Sequence, residues 1–285
     1  MTRCEIIHIV RSHYHTLTRY SAIIKKHFKP EDIHKFRVEY KKLRAFCRMI
    51  SFNKPGRNKL KIEAKIKKSY SILGTIRDSQ LQHLRLKKTS KEQNEGNNIY
   101  FTSLNNDIRK LKSKFTKNHF NCVCKKGVQK NITLIAGGFT KEEYEKYIDY
   151  QWTKIDSVIS GNDFSDSNIH SIRKCIKDIY YNVQAIEKVG DFNTEFQSET
   201  VNNQLQYFDE LLEDLGNFQD TCTAIDMLES RLVRSRNLQE QQFLIHHRTK
   251  LIAEKNAMKD LVIEKLLHHF TEYNLTLTDD ASQTM

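Results

Sequence analysis

Two segments 136 residues apart carry the same charged phrase, His34-x-x-Arg37-x-x-x-Lys41 and His170-x-x-Arg173-x-x-x-Lys177. Each is followed, 40 and 46 residues on from histidine to glycine, by a second matched phrase: Leu73-Gly74-Thr75-Ile76-Arg77-Asp78 and Leu215-Gly216-Asn217-Phe218-Gln219-Asp220. A repeat in fixed order is the signature of an internal duplication. Each copy is then one supersecondary unit that buries its apolar face by stacking on the other.

The phase within the first phrase predicts what surrounds it. Apolar side chains recur at Ile33, Phe36, Tyr40, Leu43, Cys47 and Ile50, and in the second copy at Ile169, Ile172, Ile176, Ile179, Val183 and Ile186. Steps of three and four residues mark a buried helix face. One position later runs a row of cations, His34, Arg37, Lys41, Arg44 and Arg48, matched by His170, Arg173 and Lys177 and continued by Tyr180 and Gln184. One position is a rotation of about 100° around a helix, which sets the cations beside the packing seam rather than opposite it. Two such helices related by a pseudo-twofold aim their cations at one place.

Like charges at these spacings repel, and Glu39, on another face, is the one acid among them. A helix tolerates such a stripe when it faces open water or when a polyanion supplies the missing charge. Solvation alone does not require His, Arg and Lys at matched positions, so the duplication favours the polyanion. Net charge sharpens this: residues 1–142 hold 33 Lys and Arg against 10 Asp and Glu, whereas residues 143–285 hold 14 against 25. An anionic partner is expected to be gripped mainly by the first half and steered there by its field.

Two prolines and nine glycines in 285 residues leave few helix breakers, and no βαβ alternation appears, so the expectation is an all-α fold. Each half parses into about four helices. Residues 1–120 form the first repeat, 121–140 a connector with one strand-like run at Ile132–Ala136, 141–272 the second repeat, and 273–285 a flexible tail. Asp166 and Ser167 are the expected cap of the His170 helix. The N-terminus lacks a secretory signal and no apolar run reaches the ~18 residues of a membrane span, so a cytoplasmic protein is expected. Six scattered cysteines read as small buried hydrophobes in a reducing compartment.

The order H-x-x-R-x-x-x-K then L-G-x-x-R/Q-D, doubled in a helical chain of this size, resembles the CHAD family, the conserved-histidine α-helical domain. The resemblance runs from about residue 4 to about residue 270. It implies paired four-helix bundles whose central basic groove binds inorganic polyphosphate, with an expected association with polyphosphate granules. On matching positions the binding residues are His34, Arg37, Lys41, Arg44, Arg48, His170, Arg173 and Lys177. Lys42, Lys61, Lys65, Lys68 and Arg77 in the first half, Lys174 and Lys188 in the second, and Arg248, Lys255 and Lys259 on the last helix extend the candidate set. Asp78 and Asp220 are candidate carboxylates that hold a cation of the stripe in one rotamer. Gly74 and Gly216 are read as points of close helix approach or kinking.

The physical case is independent of the resemblance. Polyphosphate offers no base to read, so its receptor needs cations along a track, with Arg forking phosphate oxygens and Lys adding point charge. The second copy departs from the first: Tyr180 stands opposite Arg44, Gln219 opposite Arg77, and Tyr207, Asp209 and Glu210 opposite Lys65, Lys67 and Lys68. No cofactor or metal is expected. His119-x-x-Cys122-x-Cys124 lacks a clear fourth ligand and the usual zinc spacing. The chain carries no Walker A loop, G-x-G-x-x-G, H-E-x-x-H or G-x-S-x-G, nor the paired E-x-E-x-K of tunnel-type triphosphatases, so a non-enzymatic binder is expected. A helical nucleic-acid-binding protein is the alternative, disfavoured because Tyr40, Phe36 and Phe46 lie in or near apolar rows. A phosphohydrolase is the less favoured third reading.

Overall fold

The structure, a computed structural model, describes residues 1–56, 59–89, 97–118, 121–135, 137–187 and 199–282. Among the described residues every regular element is an α-helix. In chain order these are α1 (Arg3–His27), α2 (Pro30–Ile50), α3 (Ala64–Thr89), α4 (Asn97–Lys117), α5 (Asn121–Leu134), α6 (Lys141–Ser160), α7 (Asp166–Ile186), α8 (Glu199–Leu232) and α9 (Leu238–Ser282).

Local chemistry sets the ends of the site-bearing helices. Phe28 closes α1 in the left-handed region (φ 51°), and Pro30, whose missing N–H costs nothing at N1, opens α2 with Glu31 and Asp32 against the positive end of its dipole. At α7 the cap is Ser165, whose side chain accepts from the Asn168 N–H. This corrects the expected Asp166–Ser167 cap by one residue. Asp166 opens the first turn and bonds Lys255 and Lys259 of α9 at 2.7 and 3.1 Å.

The connector is more structured than its sequence suggests. The strand-like run is instead the end of α5, a helix packed on α1, with Ile135 buried beyond it. Buried Asn131 of α5 explains the placement: its Oδ1 accepts from the Lys61 N–H at 3.0 Å, and its Nδ2 donates to the Tyr14 hydroxyl at 3.3 Å. α5 thus pins the approach to α3. The last helix also differs from expectation, continuing as α9 to Ser282 through most of the polar segment set apart as a tail.

Three apolar clusters hold the helices. One joins α1, α2 and α3 with Phe115, and takes in Tyr144 and Tyr147 of α6; a second joins Ile155 of α6 with α7, α8 and α9. α6 therefore contributes to both. The third consists of Leu86, Tyr100, Leu104, Ala224, Ile225, Leu228, Leu244 and Leu251, from α3, α4, α8 and α9. At roughly 1.5–3 kcal/mol for each large side chain fully buried, these eight residues resist separation of the two halves.

Candidate functional site

The two phrase-bearing helices pack directly on each other. Asn182 Nδ2 of α7 donates to the Ala45 carbonyl of α2 at 3.4 Å, and Arg48 Nη1 donates to Asp178 Oδ2 at 2.8 Å. The cation rows one position from the seam meet across it. Lys41 loses solvent and feels Lys177 first among its charged neighbours, then Arg37, Arg173 and Arg44; together these pull its ammonium down to about 7 from an ordinary 10.5. Lys177 is drawn down to about 8 by burial and then by Arg173, with Asp220 opposing. Burial and surrounding cations likewise depress both histidines: His34 by Arg77, Lys41, Lys177 and Arg37, and His170 by Lys174, Arg173 and Lys41, against a hydrogen bond with Gln219. Lys41 thus feels the second half's row, and each histidine feels the other half's lysine. Desolvation and like charge act in the same direction on a cation, which is why both lysines are so strongly affected.

The second phrases seat the arginines of the first. The Arg37 guanidinium lies over the Tyr70 ring, 4.8 Å from its centroid, and Nη1 donates to the Tyr70 carbonyl at 3.3 Å. Gly74, one turn on, is what lets it lie there: a Cβ at that position would fall 2.1 Å from Arg37 Nη1. Gly216 stands in the same relation to Arg173, with 3.4 Å to Nη2. Neither glycine has a positive φ. At Gly74 the second phrase therefore provides an open patch of helix backbone under a guanidinium, a more specific role than close helix approach or kinking, whereas a Cβ at Gly216 would make an ordinary contact.

Asp78 and Asp220 flank the cluster, and Asp78 feels the charge of Asp220. Burial holds the Asp78 carboxyl above its usual range; Arg37, Lys41 and Arg77 pull it down while Asp220 pushes it up. Both line a cavity of about 430 Å³ between α3 and α8.

Beyond Lys41 the α2 row runs into a larger cleft of about 940 Å³ between α2, α6, α7 and the approach to α3. Arg44, Arg48 and Lys174 stand on its helical walls, and Lys59, Lys61, Lys67 and Lys154 around them; Asp178, already held by Arg48, is the one carboxylate in the lining. Arg44 lies near the rings of Tyr40 and Tyr70, at 5.8 and 5.9 Å, and its buried Nε has no hydrogen-bond partner. The Nδ1 of His170 and the Nε of Arg173 are also buried without partners. Unpaired guanidinium donors are costly unless an acceptor arrives, and the imidazole Nδ1 joins them once the ring is protonated.

A CHAD domain family model matches residues 8–229, more than three-quarters of the chain. The chain belongs to the CHAD family. A similar solved structure is that of the CHAD domain from the plant Ricinus communis, with a TM-score of 0.71 over 93% of this chain and 91% of that one, at 14% identity. At that identity the likeness speaks for the fold. A search of curated protein sequences gives no match.

Of the residues singled out in this CHAD chain, His34, Arg37, Lys41, Arg77, His170, Arg173, Lys174 and Lys177 are the ones whose charges act on one another in the cluster. Arg44, Arg48 and Lys61 line the cleft, together with Lys174. Lys65 and Lys68 are exposed on α3. Lys42 stands over the Tyr181 ring at 5.9 Å, as Lys177 does, and lines a hollow of about 630 Å³ beside α1. Arg248 and Lys255 are engaged in ion pairs, with Glu229 at 2.6 Å and Asp166 at 2.7 Å. Lys188 and the His119, Cys122, Cys124 set lie outside the described residues or side chains. Among the described residues no three His, Cys, Asp or Glu gather as a metal would require, and no helix is long and apolar enough to cross a membrane.

Sequence reasoning passed over Tyr70, Lys59 and Lys154. Tyr70 is legible in retrospect, four residues before Gly74 and so on the same helix face. Lys59 and Lys154 belong to no motif and are brought in by tertiary packing alone.

Proposed function

We propose that this CHAD chain binds inorganic polyphosphate along the cation rows of α2 and α7, without cleaving it. The observation that carries this reading is the meeting of the two rows. Lys177 of the second half lies close enough to depress the protonation of Lys41 of the first, and each histidine feels the other half's lysine, with buried guanidinium and imidazole nitrogens left unpartnered beside them. A site that repels its own protons is poised for an anion of high charge density, and a flexible phosphate chain meets that need with little shape matching. From His34 to Arg44 the row rises ~15 Å, enough to follow several consecutive phosphates. The groups along it neutralise and position; phosphoanhydride cleavage needs carboxylates that hold metal ions against the phosphates, a different chemistry. We place the protein in the cytoplasm, with recruitment to polyphosphate granules as the biological consequence of this affinity.

The test is a competition titration. Long-chain polyphosphate is bound at two salt concentrations and displaced with single-stranded RNA or duplex DNA. Polyphosphate is expected to bind with a steep inverse dependence on salt and to be displaced poorly by either nucleic acid. Equal displacement by RNA transfers the site to nucleic-acid binding, and release of orthophosphate from the bound chain reinstates an enzyme.

A further inference from the structure

The cleft beside the cluster has something that a phosphate polymer does not use, an aromatic wall. Phe52 packs edge-on against Tyr147, centroids 5.4 Å apart at 77°, and tilted against Tyr150 at 5.0 Å. Tyr150 is 46% exposed, and Lys154 Nζ stands 3.7 Å from its ring centroid. The same cleft is lined by the cations Arg44, Lys67 and Lys174. The lining thus offers both a π face and cations for phosphate, within a volume typical of small-molecule sites.

We propose that this cleft binds a nucleoside polyphosphate, its base against the Tyr150 and Phe52 rings and its phosphates against Arg44, Lys67 and Lys174. Lys154 marks the platform. An exposed ammonium over an exposed ring is weakly held, so a flat base displaces it, and the freed ammonium turns to the phosphates. Arg44 supplies the buried Nε that lacks an acceptor. The carboxylate in the lining, Asp178, is neutralised by Arg48, so a triphosphate meets little repulsion. The inference rests on the phosphate affinity proposed above and adds recognition of a ring that polyphosphate lacks.

The test compares ATP with tripolyphosphate, equal in phosphate number, by calorimetry on the full chain without divalent metal, alongside long-chain polyphosphate. ATP is expected to bind about tenfold more tightly than tripolyphosphate, the increment of one stacked base. Tyr150→Ala should erase that preference while leaving tripolyphosphate and long-chain affinities within about twofold, and Tyr150→Phe should keep it. Equal affinities in the wild type, or a preference that survives Tyr150→Ala in a variant with an unchanged helical melt, overturn the proposal. Long-chain binding without an ATP preference removes the nucleotide and leaves the polyphosphate reading standing; an ATP preference without long-chain binding does the reverse.

Discussion

The two halves carry the same skeleton and differ in what stands beside each histidine. In the first half Arg77 is the leading charge on His34; at the matched place Gln219 hydrogen-bonds His170. Further along, Arg44 of α2 and Lys67 of α3 open into the basic cleft, whereas their counterparts Tyr180 and Asp209 bond each other, closing the equivalent position with an acid. The two copies of the phrase share the three residues that meet at the seam and differ on the flanks. The centre of the site is thus close to symmetric and its extension leans to the first half, which gives the cleft Arg44, Arg48, Lys59, Lys61 and Lys67 against Lys154 and Lys174 from the second; on the proposed function a polymer's middle is met by both halves and its continuation mainly by the first.

Charge reversal tests that comparison most severely. Arg37→Glu with Lys41→Glu is expected to weaken polyphosphate binding about 100-fold or more, because the change strikes the centre and the start of the first-half track together. Arg173→Glu with Lys177→Glu should cost about tenfold less, since Arg77, Arg44 and the cleft remain. Replacing Arg248 and Lys255 by Ala, both already paired with carboxylates, should change affinity by less than about twofold. Isotherms at one fixed salt concentration decide the order. A larger loss from the α7 pair would mean that the flanking cations of the first half do not extend the track.

Protonation gives the next largest effect. Free Lys41 titrates at about 7 and Lys177 at about 8 against an ordinary 10.5, and a bound polyanion draws both back up. Binding therefore takes up protons above pH 7, and affinity should fall by roughly tenfold between pH 7 and 9. The sign for the free fold is opposite. Over pH 7 to 10.5 the unfolded chain holds more protons on these lysines than the native one, so their contribution to stability improves as pH rises through that window. The depressed histidines add a loss of stability as pH falls through 6.5. Calorimetry in buffers of different ionisation enthalpy counts the protons, and Lys41→Arg, which stays charged, should flatten the affinity profile. A profile of unchanged slope in that variant would remove Lys41 from the linkage.

How much of this was legible in the chain follows from the range of each interaction. The α2 and α7 rows and their phase are local periodicities, so the helices, the buried faces and the side on which the cations sit could be read directly. The doubled phrase carried the family. The connector could not be read: α5 has little amphipathic signal of its own and is positioned by Asn131 reaching Lys61 and Tyr14, contacts 70 and 117 residues away in sequence. The cleft was half legible. Arg44 and Arg48 belong to the row, but Lys59, Lys154, Phe52 and Tyr150 arrive from three other segments, and their aromatic wall weakens a case against base stacking that considered only Tyr40, Phe36 and Phe46.

The smallest effect is also the sharpest comparison, because it separates positioning from folding. Alanine at position 74 puts a Cβ where Arg37 Nη1 lies, 2.1 Å away, whereas alanine at 216 meets Arg173 Nη2 at 3.4 Å, an ordinary contact. The obstructing atom at 74 is the end of a long side chain, so the guanidinium yields and leaves the Tyr70 carbonyl, while the helix gains roughly 0.5–1 kcal/mol from losing a glycine. Gly74→Ala should therefore weaken polyphosphate binding a few-fold with thermal stability held or slightly raised. Gly216→Ala should raise stability by a similar amount and leave binding alone. Paired melts and isotherms distinguish this from a packing role. If Gly74→Ala instead lowers the melting temperature by several degrees, the glycine serves helix contact, and the seat for Arg37 is incidental.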